Sequence, residues 1–155
     1  MATNASRDTT TGTTKEKKIE KFLVENTTEK VAAQVVVGVK RNGGKHYVDL
    51  LLGGETYLRP KTVCPISKHK GGTLVSSKLQ ETSGTAEEKI LFEFMKLHHC
   101  IVDYDYDGAI IVLSGDTGWD WKDYFLGKEF KDDMKKIYPD VQIMSEEEFY
   151  TRYSK

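Results

Sequence analysis

The chain has 155 residues, a formal net charge of −1 and 38% hydrophobic residues. This length predicts one domain with a sizeable core rather than two full domains. A protein held to nucleic acid by phosphate contacts alone usually carries a basic excess, so the charge excludes an overall basic binder. Any surface that contacts nucleic acid must therefore be local.

The composition also predicts the compartment and the folded region. Cys64 and Cys100 form neither a CxxC motif nor a repeated framework, which favours reduced thiols in a cytoplasmic protein. No apolar run approaches the roughly 20 residues of a membrane span, and the N-terminus lacks the apolar core of a secretion signal, so we expect no membrane partner. Residues 1–14 are rich in Thr, Ala and Asn, which predicts a disordered lead before a single domain at 15–155.

The first predicted helix covers residues 14–29. Ile19, Phe22 and Leu23 recur at helical spacing among lysines and glutamates, and a polar stretch then ends the pattern. Glu20 borders this apolar face. It is either a solvated helix residue or a carboxylate that reaches a metal site.

A β-hairpin follows the first helix. Residues 31–40 and 45–52 are rich in β-branched and apolar residues, and Arg-Asn-Gly-Gly at 41–44 makes the turn. Asp49 lies in the second strand with large apolar neighbours, an unusual place for an aspartate. It either accepts hydrogen bonds from a loop or pairs with Lys78, or it has a chemical role.

The strongest positive cluster lies in a loop at 53–72 with two prolines and several glycines. Lysine and arginine on such a loop can follow a nucleic-acid backbone without demanding a base sequence, although an ordinary solvated loop has the same composition. The basic residues of this cluster are Arg59, Lys61, Lys68, His69 and Lys70.

A strand beginning at Thr73 carries three polar side chains on one face. Side chains alternate along a strand, so Ser76, Lys78 and Gln80 point the same way. A lysine and two further polar groups are thus presented together.

A capped helix comes next. Thr85 stands three residues before Glu88, the spacing of a capping box, so the helix is predicted to begin near Ala86. Its apolar stripe is bordered by Glu87 and Glu93. A carboxylate beside a buried stripe needs a partner, which is a salt bridge, a partly exposed position or a metal.

The remaining pattern completes an α/β fold. Residues 100–104 and 109–113 are predicted as strands, 119–136 as one or two helices interrupted at Gly127, and 141–144 as a short strand. Ser145 and a glutamate three residues later predict the cap of a last helix. The element order predicts a central mixed β-sheet flanked by helices.

Together these residues form a chemical set suited to phosphate ester hydrolysis. An aspartate on one strand, a lysine on the next and a carboxylate on the following helix can hold Mg²⁺, which prefers oxygen ligands and keeps bound waters. The lysine can orient or deprotonate an attacking water and offset the charge that develops on the phosphate.

With these motifs the sequence resembles the PD-(D/E)XK nuclease superfamily, over most of residues 15–155. The stretch SSKLQETSGTAEEK is similar to the strand, turn and helix of restriction-type enzymes, and AIIVLSGD with YPDVQIMSEEEF is similar to their last strands and closing helix. The resemblance implies a restriction-endonuclease-like fold, a Mg²⁺ cofactor that Mn²⁺ can replace, duplex DNA as partner and a homodimer.

Carried over by position, Asp49 is the metal-binding aspartate and Lys78 the catalytic lysine. Ser76 stands where the usual pattern has glutamate or aspartate. Some enzymes of the superfamily with serine there recruit a glutamate from the next helix, which implies Glu93 as the second metal ligand, with Glu87 as the alternative. The resemblance places Gln80 and the basic loop residues at the DNA.

The leading expectation is a Mg²⁺-dependent DNA endonuclease of restriction or homing type. Because Ser76 departs from the motif and the net charge is nearly neutral, the alternative is a noncatalytic DNA-binding or assembly protein on the same fold. A junction-resolving nuclease, which prefers branched over linear duplex, is the third possibility.

Overall fold

A computed structural model describes residues 4–39, 44–56, 69–79, 87–115 and 119–154. Side chains are described from Thr14 onward, except at positions 39, 55, 56, 69, 70 and 87. A single 3₁₀ turn, Glu87–Lys89, precedes the second helix. The helices and strands, in chain order, are α1 (Asn4–Asn26), β1 (Val31–Val39), β2 (Lys45–Leu52), β3 (Glu55–Thr56), β4 (His69–Lys70), β5 (Thr73–Leu79), α2 (Ile90–Tyr104), β6 (Gly108–Ser114), α3 (Lys122–Leu126), α4 (Lys128–Ile137), β7 (Val141–Ser145) and α5 (Glu146–Tyr153).

Five strands form one mixed sheet in the order β1-β2-β5-β6-β7. The β1–β2 and β2–β5 pairs are antiparallel, whereas β5, β6 and β7 run parallel. Parallel neighbours need a crossover, and α2 makes the connection between β5 and β6. The predicted α/β fold with a mixed sheet flanked by helices is confirmed.

Helices cover both faces of this sheet. Alternate residues along each strand point to opposite faces, so they contribute to two separate cores. On one face, Ile111 and its neighbours pack against Phe94 of α2 and Phe130 of α4. On the other, Val112 packs with Leu23 of α1 and Phe149 of α5. The central strands are therefore covered on both sides, as expected for strands as apolar as β6.

The helix α2 is longer than the sequence predicted. Residues 100–104 were expected to form a strand but are its last turn, and the prediction was wrong because a short apolar run fits either element. Asp105 ends the helix in a left-handed conformation. Helical spacing places Leu91 on the apolar stripe with Ile90, Phe94 and Leu97, but Leu91 is 56% exposed, whereas Glu93 at the margin of the stripe is buried.

Two further elements bear on the predictions. Helix α1 begins at Asn4, so residues 4–14 are helical where the composition predicted a disordered lead. Its packing residues, Ile19 and Leu23, lie in the C-terminal half, and a helix anchored there extends at little cost because nucleation is already complete. The helix break at Gly127 and the Ser145 cap, whose Oγ accepts the Glu148 N–H at 3.1 Å, are confirmed.

No helix among the described residues combines the length and apolar character needed to cross a membrane.

Candidate active site

The candidate site lies where β2 and β5 separate. Their antiparallel pairing covers only three residue pairs and ends at Leu50 and Val75. Asp49 and Ser76 come next on the two strands, beyond the last pair. The ladder opens at this point, so backbone donors of β5 become available to side chains of β2.

Ser76 and Lys78 both face α2. Strand alternation places them on the same side as Leu74, which belongs to the core under α2. Ser76 is 2% exposed, whereas the Lys78 side chain is 24% exposed and reaches the surface. The lysine is therefore the accessible member of the pair.

Glu93 of α2 fills the space above Ser76. Ser76 Oγ donates a hydrogen bond of 3.0 Å to Glu93 Oε1. Lys78 Nζ and Lys96 Nζ lie 3.3 and 3.2 Å from Glu93 Oε2. The serine side chain at position 76 is small and leaves room for the Glu93 carboxylate of α2. The structure therefore brings the predicted residues Ser76, Lys78 and Glu93 together.

The two lysines determine the charge of Glu93. Burial at 5% exposure would raise the pKa of Glu93, but Lys78 and Lys96, with hydrogen bonds from Lys96 and Ser76, outweigh it and lower that pKa. Glu93 is thus a carboxylate held ionised beneath the surface.

Asp49 approaches the same strand from β2. Its Oδ2 accepts the backbone N–H of Ser77 at 2.7 Å, a bond that takes the place of the missing strand pairing. Burial raises the pKa of Asp49, although the Ser77 hydrogen bond and the charge of Lys78 oppose the rise. Lys78 and Glu93 both interact electrostatically with Asp49, so the two predicted carboxylates belong to one constellation.

Glu16 of α1 is a third carboxylate at the site, which the sequence pattern did not predict. It hydrogen-bonds to Asp49, and Gln34 Nε2 donates to Glu16 Oε2 at 2.9 Å. Burial, together with the charge and hydrogen bond of Asp49, raises the pKa of Glu16 to about 7. Glu16 is therefore largely protonated below neutral pH, and it shares its proton with Asp49.

The spacing of α1 contained a signal for Glu16. It precedes the buried Ile19 by three residues and the buried Leu23 by seven, so all three share one helix face. Glu20 was singled out because it borders this apolar face, but it lies at the side of the face, whereas Glu16 lies in line with Ile19 and Leu23.

An ion pair fixes α1 next to Glu16. Lys15 Nζ lies 3.1 Å from Glu146 Oε2 and donates to Glu146 Oε1 at 3.2 Å. Burial would raise the pKa of Glu146, but the nearby Ser114 and Tyr150 hydroxyls and the hydrogen bond and charge of Lys15 lower it. The neighbouring residue, Glu16, is thereby held toward the sheet.

Several predicted residues cannot be placed. Glu87 and Lys70 are described by their backbone alone. The other predicted DNA contacts lie outside the described residues, namely Arg59, Lys61, Lys68 and Gln80. The proposed DNA surface therefore stays a prediction from the sequence.

The donor set suits a cation held by few protein ligands. Within the ranges that the structure describes, no group of three or more His, Cys, Asp or Glu side chains is placed to hold a metal ion. Mg²⁺ commonly binds through one or two carboxylates and completes its shell with water and phosphate oxygens. Burial is the main cause of the raised pKa values of Asp49 and Glu16, and the charge of Asp49 adds to it for Glu16. A divalent cation beside these carboxylates would favour their ionised forms.

Comparisons of this chain with protein-family models, with curated proteins and with solved structures found no match.

Proposed function

We propose that the chain is a Mg²⁺-dependent endonuclease that hydrolyses phosphodiester bonds in duplex DNA. The observation that carries the proposal is the contact of Glu93 with both Ser76 and Lys78. A helix carboxylate occupies the place beside the lysine where the PD-(D/E)XK pattern has a strand carboxylate. This arrangement supports the variant of the motif in which serine replaces the acidic residue.

Asp49 and Glu93 would hold the metal, and Glu16 of α1 would act on Asp49 through their hydrogen bond. When bound, Mg²⁺ supplies charge stabilisation at the scissile phosphate and lowers the pKa of a bound water. Lys78 would orient the attacking water and offset the negative charge of the transition state. Lys96 shares Glu93 Oε2 with Lys78, so Glu93 keeps a cation partner when Lys78 turns to the substrate.

The fold family, the homodimer and the type of cleavage are proposed from the resemblance and from chemical reasoning. A restriction-endonuclease-like fold is compatible with the mixed sheet and its helices. A homodimer would allow one small site per chain to act on both strands of a duplex. Restriction- or homing-type cleavage is the corresponding biological activity.

Cleavage by the purified chain tests the proposal. Supercoiled plasmid is incubated with Mg²⁺, with Mn²⁺ and with a chelator, and linear and branched duplexes are compared. We expect metal-dependent cleavage that falls about 100-fold or more in Lys78→Ala. Lys96→Ala removes the other lysine from the same carboxylate oxygen, and it should lower the activity much less than Lys78→Ala, because Lys96 does not act on the substrate.

Cleavage by folded Lys78→Ala at the wild-type rate would rule out the proposed role of the lysine. A clear preference for the branched duplex would identify a junction-resolving enzyme instead of one acting on linear DNA.

A noncatalytic DNA-binding or assembly protein on the same fold is the second candidate. It is favoured by the fact that Glu93 has its oxygens engaged by Ser76, Lys78 and Lys96, a network that also serves as a purely structural one. This candidate predicts no cleavage with any divalent metal, and unchanged DNA binding in Asp49→Asn.

A further inference from the structure

The outer side of α2 is apolar, although the opposite side of the helix is already buried in the core. At about 100° per residue, Leu91, Phe92, Met95 and Val102 lie on one side of the helix, opposite to the buried Leu97. Leu91, Phe92 and Val102 are 56%, 55% and 64% exposed, and Met95 is partly exposed. We call these four residues the α2 outer face. An exposed apolar surface of this kind is typical of a protein–protein contact.

Opposite charges flank the two ends of the α2 outer face. Lys89 lies directly before α2, and Asp103 lies in the last turn of the helix. Both are exposed, and helical spacing places both on the flank next to Phe92. Glu88 lies in the same turn as Lys89, nearer to the middle of the face. Because the flank has a cation at one end and an anion at the other, it is complementary to its own copy turned end to end.

We propose that the α2 outer face is the interface of a homodimer in which two copies of α2 pack antiparallel across a two-fold axis. In such a dimer, residue i of one copy meets residue j of the other, and j meets i in return. The apolar residues run from Leu91 to Val102, so the axis passes near the middle of this range. The same axis sets Lys89 of each copy beside Asp103 of the other. Antiparallel helices also bring opposite ends of their dipoles together.

Lys96 lies on the same flank near the axis, where two copies bring like charges together. Its Nζ lies 3.2 Å from Glu93 Oε2 and 5.2 Å from the centre of the Phe92 ring. The lysine charge is therefore already balanced within its own chain. A second copy packed on Phe92 excludes water from this ion pair, which strengthens the attraction between the two charges. Dimerisation thus reinforces the position of Glu93, a residue of the candidate site.

Two other occupants match the α2 outer face less well. A DNA backbone would leave the four apolar residues unused and would meet the anion Asp103. A lipid surface binds an apolar helix face that is flanked by lysines and arginines, whereas one end of this flank is acidic. The interface rests on the homodimer of the proposed function, but it concerns association and not cleavage. A dimer without nuclease activity would therefore still uphold it.

Sedimentation velocity of the full chain at increasing concentration tests the interface. We expect the mass to rise from 17.6 kDa to about twice that value, with a dissociation constant below about 100 μM. Val102→Asp should weaken the dimer at least about tenfold, because it places a charge in an apolar contact. Val24→Asp is the matched control. It makes the same change at a valine of α1 that is 61% exposed, and it should dimerise as the wild type does.

Reversal of the flanking charges tests the antiparallel arrangement. Lys89→Asp and Asp103→Lys should each weaken the dimer about threefold or more, because like charges then meet at both ends of the interface. The double variant restores opposite charges, so it should dimerise more tightly than either single variant. Glu88→Gln should strengthen the dimer, since it removes an anion from the end that meets Asp103. Circular dichroism shows whether each variant is folded.

A wild-type chain that stays monomeric up to about 1 mM would overturn the interface, as would equal effects of Val102→Asp and Val24→Asp. A folded double reversal that dimerises no more tightly than the single reversals would rule out the antiparallel pairing. A monomer whose binding to duplex DNA falls in Val102→Asp would identify DNA as the occupant instead. Lys78→Ala should dimerise as the wild type does, so loss of the interface and loss of the nuclease activity give different results.

Discussion

Ser76 of β5 and Glu93 of α2 form a buried hydrogen bond of 3.0 Å, which joins the sheet to the helix that follows it. The serine supplies a donor and little volume, and the glutamate supplies the carboxylate. A strand acid at position 76 would compete with Glu93 for the same space and the same lysine. The pair therefore explains how a serine can stand in an otherwise acidic motif.

The Ser76→Ala variant should destabilise the fold without removing the charges of the site. Glu93 is 5% exposed, and its Oε1 would lose the hydrogen bond that Ser76 Oγ donates. Leaving a buried acceptor without a donor costs about 1–3 kcal/mol. The free energy of unfolding in urea measures the effect. Ser77→Ala is the control, since only the backbone of Ser77 has a described contact with the site. Equal stability of Ser76→Ala and the wild type would show that the hydrogen bond contributes nothing.

An exchange of the two side chains tests whether the carboxylate acts from the helix. Glu93→Ser alone should lower Mg²⁺-dependent cleavage at least about 100-fold. The double variant Ser76→Glu with Glu93→Ser returns a carboxylate to the strand next to Lys78, so it should recover part of the lost activity. Cleavage rates on supercoiled plasmid compare the three proteins. A double variant no more active than Glu93→Ser, although folded, would contradict the exchange.

The pKa of Glu16 makes the stability of the fold depend on pH. Its ordinary pKa of 4.5 rises to about 7 in the folded chain, so between these values the folded state keeps a proton that the unfolded state releases. The resulting stabilisation is complete below about pH 4.5 and is lost as pH rises through about 7. One pKa unit corresponds to about 1.4 kcal/mol, but Glu16 is partly exposed and solvent screening reduces the effect to about 1–2 kcal/mol.

The Glu16→Gln variant should remove this dependence. Glutamine keeps a hydrogen-bond donor toward Asp49 at every pH, so the variant should be more stable than the wild type at pH 8 and about equal to it at pH 5. Urea unfolding across this range provides the measurement. Glu20→Gln, one turn along α1, should leave the wild-type slope intact. A Glu16→Gln protein with the wild-type slope would show that another group titrates.

Local sequence patterns were sufficient to predict the sheet and many of the residues of the candidate site. Alternation placed Ser76 and Lys78 on one face of β5, and the aspartate in an apolar strand singled out Asp49. Helical spacing singled out Glu87 and Glu93 at the margins of the apolar stripe, and the resemblance favoured Glu93. Its buried position depends on how α2 packs on the sheet. Glu16 could not be placed because its contact with Asp49 joins elements that only the packed fold brings together. Residues 100–104 were mistaken for a strand because a short apolar run has no decisive period.

Mg²⁺ should stabilise the chain through Asp49. A ligand that binds only the folded state adds about 2.7 kcal/mol at one hundred times its dissociation constant, so a thermal melt should shift upward with increasing Mg²⁺. Asp49→Asn should lose this shift yet stay folded, because the asparagine oxygen can still accept the Ser77 N–H that Asp49 accepts at 2.7 Å. Asp103→Asn, an exposed position on α2, serves as the matched control and should show the wild-type shift.

Glu16→Gln and Glu93→Gln then test the two remaining carboxylates separately, since only the removal of a metal ligand should reduce the shift that Mg²⁺ causes. A wild-type Mg²⁺ shift in Asp49→Asn would exclude Asp49 as a ligand and would remove the metal site from the proposal.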